Sequence, residues 1–134
     1  RHRREMAAEG PTLTLEGPVW RQRAADDDPV VLLAAANRTI ALVTARGRIV
    51  RFAAGAAVSE AEEHDLGLRA DDAPLSLSLE PAGQLLLVST RLGECFAHAP
   101  PPARGGKPRA PVRLTKTRGV TVECSAWLPA APAA

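Results

Sequence analysis

One stretch of this chain occurs twice. Residues 83–98 read G-Q-L-L-L-V-S-T-R-L-G-E-C-F-A-H, and residues 37–52 read N-R-T-I-A-L-V-T-A-R-G-R-I-V-R-F. Laying Gly47 on Gly93 aligns the two without gaps at an offset of 46 residues. Residues 39–43 then fall on residues 85–89, and Thr44 falls on Thr90. In each copy an apolar or β-branched run enters a Gly-bearing loop and a shorter run returns, the pattern of a β-hairpin. A strand-built period of this length points to a propeller, whose blades run about 40–50 residues each. The fold class read from the repeat is all-β: a partial β-propeller of about two four-stranded antiparallel blades plus the first strand of a third.

A chain of 134 residues is one domain's worth at most, against a usual span of about 100–200 residues per domain. Apolar residues make up 46%, but aromatics only 3%, and Tyr is absent. The core therefore rests on Leu and Val and is thin. A formal charge of +2 with 24% charged residues marks a soluble surface rather than a strong polyanion binder. Cys95 and Cys124 lie inside apolar strand patterns, which fits buried thiols in a reducing compartment better than a disulfide framework. No apolar run approaches the roughly 18 residues of a membrane span. No apolar segment of about 7–15 residues follows the charged residues 1–5, as a signal peptide would require. These features point to a cytoplasmic chain.

Residues 1–17 read as a flexible lead-in, of which residues 1–10 are polar, basic and prone to fray. Residues 12–15 (T-L-T-L) and 19–22 are short strands or extended lead-in around the Gly17-Pro18 turn, with Trp20 a satellite core residue. Residues 18–134 form the partial propeller, with blades over approximately 29–70 and 74–118 and a next blade starting at 119. Residues 30–35 are a continuous apolar run, expected as a strand buried on both faces. Ser59 and Glu62 resemble a capping box, so residues 53–65 are expected as a loop with a helical turn. Residues 65–69 (D-L-G-L-R) alternate as an outer strand. Residues 75–79 (L-S-L-S-L) are the clearest half-buried strand, and Glu80-Pro81-Ala82-Gly83 is a turn. Residues 99–111, with five prolines and two adjacent glycines, are an exposed loop. Residues 112–117 read as a charged edge strand with Arg113 and Lys116 outward, and residues 120–128 as a strand again. A blade needs neighbours on both sides, and fewer than about three repeats cannot bury a continuous core. The chain is therefore expected to belong to a longer protein and to fold poorly alone.

The residues that carry chemistry are few. No G-x-G-x-x-G, G-x-x-x-x-G-K-[ST], G-x-S-x-G or H-E-x-x-H occurs. Asp26, Asp27 and Asp28 lack the spacing of a D-x-D-x-D-G metal loop and read as a solvated turn. Cys95 and His98 make a C-x-x-H pair with Cys124 as a conceivable third ligand, but alternation turns Cys95 and His98 to opposite faces. A buried cysteine and a strand-end histidine are the simpler reading. His64, among Glu62, Glu63 and Asp65, has no Ser or Cys at fixed spacing to activate and reads as a solvated loop histidine. Arg104, Lys107, Arg109, Arg113, Lys116 and Arg118 form a basic stretch without an acid. It suits anionic lipid or a partner's acidic face, or a solvated loop and edge strand. Without interleaved aromatics it does not suit nucleic acid. No catalytic, cofactor-binding or metal residues are assigned.

Four segments carry a family resemblance: P-V-W-R-Q-R at residues 18–23, residues 29–52 ending in G-R-I-V-R-F, L-S-L-S-L-E-P-A-G-Q-L-L-L-V-S-T at residues 75–90, and G-V-T-V-E-C-S-A-W at residues 119–127. In order and spacing they resemble the N-terminal propeller of the vacuolar protein sorting-associated protein 18 (deep orange) family, over roughly residues 18–128. The chain departs from that family in its Pro-rich insertion at residues 99–111 and its few aromatics. The family's members are subunits of the HOPS and CORVET tethering complexes and carry a propeller, an α-solenoid and a C-terminal RING zinc domain. The resemblance implies a non-catalytic surface that positions other tethering-complex subunits. It also implies a cytoplasmic location, peripheral on late endosome, lysosome or vacuole membrane, with no nucleic acid and no small-molecule substrate. A propeller piece of another scaffold, such as a ciliary or coat protein, and an enzyme whose active site lies on absent blades are the alternatives.

Overall fold

The computed structural model of the chain describes residues 27–55, 61–100, 107–122 and 125–128. These contain eight strands: β1 (Val30–Ala36), β2 (Thr39–Thr44), β3 (Arg48–Ala53), β4 (Glu62–Asp65), β5 (Pro74–Leu79), β6 (Leu86–Thr90), β7 (Cys95–His98) and β8 (Val112–Arg113). They form two antiparallel sheets in the orders β1-β2-β3-β4 and β5-β6-β7-β8. No helix occurs among the described residues.

The repeat persists at the level of single hydrogen bonds. Register slips at the same place in both first strands: Val30 faces Thr44 and Leu32 faces Val43, as Pro74 faces Thr90 and Ser76 faces Ser89. In the turns that follow β2 and β6, Gly47 N–H donates to the Thr44 carbonyl at 2.9 Å and Gly93 N–H to the Thr90 carbonyl at 3.2 Å. The Thr44 hydroxyl accepts Arg48 N–H at 3.0 Å, and the Thr90 hydroxyl accepts Glu94 N–H at 3.1 Å. An aspartate preceding each first strand completes the turn. Asp28 accepts from the Thr44 hydroxyl and from Arg46 N–H, both at 2.7 Å, and Asp72 accepts from Leu92 N–H at 3.0 Å. These buried polar groups thus find partners inside the turn, as burial demands. Gly47 and Gly93 sit at φ 88° and 85°, a backbone conformation that a Cβ disfavours.

The sheets pack through faces that are not repeat-equivalent. Ala41, Val43 and Ile49 of the first meet Leu86, Val88 and Phe96 of the second, with Leu66 joining them. The 46-residue offset places the counterparts of Ala41, Val43 and Ile49 at Leu87, Ser89 and Cys95, on the far face of the second sheet. A two-fold sandwich would bring equivalent faces together. Here the front of one sheet meets the back of the next, which is how propeller blades stack. The far face of the second sheet in turn touches the end of the chain: the Trp127 indole N–H donates to the Ser78 hydroxyl at 2.6 Å, and the Ser89 hydroxyl donates to the Val122 carbonyl at 3.4 Å. The architecture is all-β and that of a partial β-propeller.

Several expected strands differ. The fourth strand of the first sheet is Glu62–Asp65, not residues 65–69, and it takes the last residues of the loop expected up to Asp65, while the helical turn expected from Ser59 falls largely outside the described residues. The polar sequence hid it. Arg51 faces Glu62 and Ile49 faces His64 across the ladder, so the strand's inward positions are acid and imidazole rather than aliphatic. Leu66 follows the strand into the core. β1 is not buried on both faces: Val31 and Leu33 are 47% and 67% exposed. Residues 112–117 supply only the two-residue β8, because the chain turns at 115–119, where Arg118 N–H bonds the Thr115 carbonyl and Gly119 N–H the Gly93 carbonyl. Residues 120–122 and 125–128 form no strand. Residues 12–15 and 19–22, Trp20 and Ser59 lie outside the described residues.

Candidate functional site

The polar groups of the interior concentrate at one end of the seam between the sheets. Strand alternation dictates which they are. Arg51 lies opposite Ala41 on β2 and opposite Glu62 on β4, so Arg51, Glu62 and His64 share the seam face with Ile49. On the second sheet His98 lies opposite Leu86 and shares the face with Val88 and Phe96. The two sets meet across the seam.

Arg51 is buried and spans the two sheets. Its Nη2 donates to the Gly83 carbonyl at 2.6 Å and to the Gln84 carbonyl, and its Nη1 to the His98 carbonyl at 3.5 Å. Nη1 also lies 3.4 Å from His98 Nδ1. A planar fork presents its donors from two separated nitrogens and so reaches carbonyls of different segments, whereas lysine offers all its donors from one nitrogen. Burial pulls the guanidinium below its usual range, while Glu62 and Glu80 push it back up.

His98 is 2% exposed, and its Nε2 donates to the Arg109 carbonyl at 2.9 Å. Burial is the largest cause lowering its pKa, with His64 and Arg51 adding to that effect and Glu62 and the Arg109 carbonyl opposing it. The imidazole is therefore held neutral near pH 7. His64 packs its ring against that of His98, centroids 4.6 Å apart. Glu62 Oε1 lies 2.6 Å from His64 Nε2 and 3.4 Å from His98 Nε2. Among the described residues, Glu62, His64 and His98 form a group able to hold a metal ion, with ligand atoms all within 4.8 Å of one another. A cleft of about 210 Å³ lined by Arg51, Glu62, Gly83 and Gln84 opens beside it.

The residues singled out from sequence behave differently here. Cys95 and His98 lie on opposite faces of β7, as alternation requires, and Cys95 is a buried free thiol. Cys124 lies outside the described residues. His64 is not a solvated loop histidine; it sits in β4 with its side chain 14% exposed, because the ladder to Ile49 turns it into the seam. Asp28 is not a solvated turn residue but a buried cap, while Asp27 is exposed and Asp26 lies outside the described residues. In the basic stretch, Arg113 and Arg118 converge on Glu94 at 3.3 and 3.8 Å, and Arg113 also covers the Phe96 ring at 5.3 Å. Lys107, Arg109 and Lys116 remain exposed, and Arg104 lies outside the described residues. Sequence reasoning missed Arg51 and Glu62. Their signal was the ladder pairing of a charged inward position on β3 with one on β4, which needs the position of β4 to be known.

No helix among the described residues is long and apolar enough to cross a membrane. No curated protein matches the chain. A family model, that of the Pep3/Vps18/deep orange beta-propeller domain, matches residues 20–134. The match spans the segments that carry the repeated hairpins, and the two stacked four-stranded sheets are what such a domain requires. This chain belongs to the Pep3/Vps18/deep orange β-propeller domain family.

Proposed function

We infer that this propeller segment serves as a scaffold in a membrane-tethering assembly of the endosomal, lysosomal or vacuolar system, of the HOPS or CORVET kind. The observation that carries the reading is the family match over residues 20–134. Blades at 29–70 and 74–118, with a further blade from 119, complete the reading. The seam supports a non-catalytic role: Arg51 is engaged with backbone carbonyls of the neighbouring sheet, and His98 with the Arg109 carbonyl. The outer surface, including exposed Lys107, Arg109 and Lys116, is then what meets protein partners and an anionic membrane face. The protein acts from the cytoplasmic side as a peripheral component.

Affinity purification of the tagged full-length protein tests this. Other tethering subunits are expected to co-purify in stoichiometric amounts. Recovery of the folded protein without any of them overturns the reading.

A further inference from the structure

The cluster of Glu62, His64 and His98 is not demanded by the repeat. Register gives each of the three a counterpart in the other sheet. The 46-residue offset puts Phe52 opposite His98 in the plan. Arg51 pairs with Glu62 as Ala97 pairs with Val112, so Val112 is the counterpart of Glu62. One step further along the same ladder, where Leu114 N–H bonds the Cys95 carbonyl, Leu114 answers to His64. All three counterparts are apolar. Two imidazoles and a carboxylate have thus been added at one end of a seam that the fold fills elsewhere with aliphatic side chains.

Each of these three groups offers one ligand atom, and these atoms lie within 4.8 Å of one another. We propose that Glu62, His64 and His98 bind one zinc ion, or a divalent cation of similar ligand preference, as a clamp between the two sheets. Both imidazoles bring Nε2 to the same carboxylate oxygen, at 2.6 and 3.4 Å. Ligands about 2.0–2.1 Å from a tetrahedral zinc lie about 3.3 Å from one another, so the 2.6 Å pair must open by about 0.7 Å while the other ligand atoms, all within 4.8 Å of one another, draw in to that spacing. Two histidines and a glutamate are a recognised zinc donor combination that leaves a fourth position. The Arg109 carbonyl, 2.9 Å from His98 Nε2, stands next to that position. The cleft beside Glu62 offers an entry path. On binding, neutral His98 switches tautomer: its single ring proton moves from Nε2 to Nδ1, which frees Nε2 to ligate. The long 3.4 Å contact from Arg51 Nη1 to Nδ1 then yields, and Nη1 keeps the His98 carbonyl. The Arg51 charge, 3.4 Å from His98 Nδ1, opposes binding. The site is therefore expected to bind zinc more weakly than an all-cysteine structural site. Binding ties β4 of one blade to β7 of the next, independently of any tethering role.

Cobalt(II) is the probe, added to the complete propeller, shown to be folded by circular dichroism, and followed by visible absorption, with zinc competition by calorimetry. One cobalt per chain is expected, with the intense visible bands of four-coordinate nitrogen and oxygen ligation and no sulfur charge-transfer band. His64→Ala and Glu62→Gln are expected to weaken binding more than tenfold. Glu62→Gln keeps shape and hydrogen bonding, so it isolates the ligand charge from folding. Cys95→Ser, on the opposite face of β7, is expected to leave the spectrum unchanged. Absence of cobalt uptake by the parent chain, equal affinity in both ligand variants, or a sulfur band that Cys95→Ser removes would each overturn the proposal.

Discussion

The two sheets share one plan but are fastened differently, and the contrast shows what a repeat leaves free to vary. Both carry the same slipped first strand, a turn capped by the aspartate before that strand, and the same left-handed glycine. At the position where the first sheet has Arg51, reaching across the seam to three carbonyls, the second has Ala97. Leu33, 67% exposed, is the counterpart of Leu77, which packs against the core. One plan thus yields a solvent-facing leucine on the first sheet and a packed one on the second. What differs is whether another layer lies against that face. Backbone geometry is therefore common to the repeats, and burial is not: it belongs to each blade's neighbours.

Arg51 should give the largest effect, since Ala97 shows that the strand itself does not need a cation there. Arg51→Met removes the donors to Gly83, Gln84 and His98 while keeping the stem, and is expected to cost about 3 kcal/mol. Denaturant unfolding checks it, and a loss under about 1 kcal/mol would mean that apolar contacts alone close the seam.

The equivalent glycines should come next and differ from each other. A Cβ on Gly93 would lie 2.7 Å from the Gly119 carbonyl carbon and 2.8 Å from Val120 N, backbone that cannot swing away. On Gly47 it meets the Leu68 side chain at 2.6 Å, which can. Gly93→Ala is expected to cost more than about 2 kcal/mol and Gly47→Ala about 1 kcal/mol. Equal losses in unfolding experiments would show that positive φ, not crowding, dominates both.

The first-hairpin turns also diverge, and acid separates them. Residues 37–38 form a two-residue turn at φ 43° and 63° without a carboxylate. The corresponding turn of the second sheet is held by Glu80, whose carboxylate accepts Gln84 N–H at 2.6 Å and Ala82 N–H at 3.0 Å. Those bonds, Gln84's first, hold the Glu80 carboxyl below its ordinary value of 4.5. The folded state thus favours the charged form. Its contribution is complete above the unfolded value and is lost as pH falls through the depressed folded one. Glu80→Gln is expected to be less stable than the parent at neutral pH, with the gap closing under acid. A gap independent of pH would refute the assignment.

The smallest effect is a gain. Arg38 occupies the left-handed region at φ 63°, where the second position of such a turn favours glycine. Arg38→Gly is expected to add about 0.5 kcal/mol, read as a rise in unfolding midpoint. A loss would mean that the arginine side chain contributes at the hairpin tip.

The hairpins around Gly47 and Gly93 were legible in sequence because period-two apolarity and a turn glycine are local signals. Pro74–Leu79 was legible for the same reason. Glu62–Asp65 was not, since its inward residues are polar and are satisfied only by Arg51 and His98 from elsewhere in the fold. The brevity of β8 escaped notice because the turn at 115–119 is set by a bond from Gly119 to Gly93 in the preceding turn. Asp28 reads as a solvated acid beside Asp27 until Thr44 is brought against it.

From its residues alone, this chain determined that it is built of repeated antiparallel strands and which family it resembles, because strand periodicity and hairpin turns are written within a few residues of one another. Only the tertiary structure decided that Arg51, Glu62, His64 and His98 meet. They come from two sheets, and a polar side chain reveals its partner only when stacking has chosen which faces lie together.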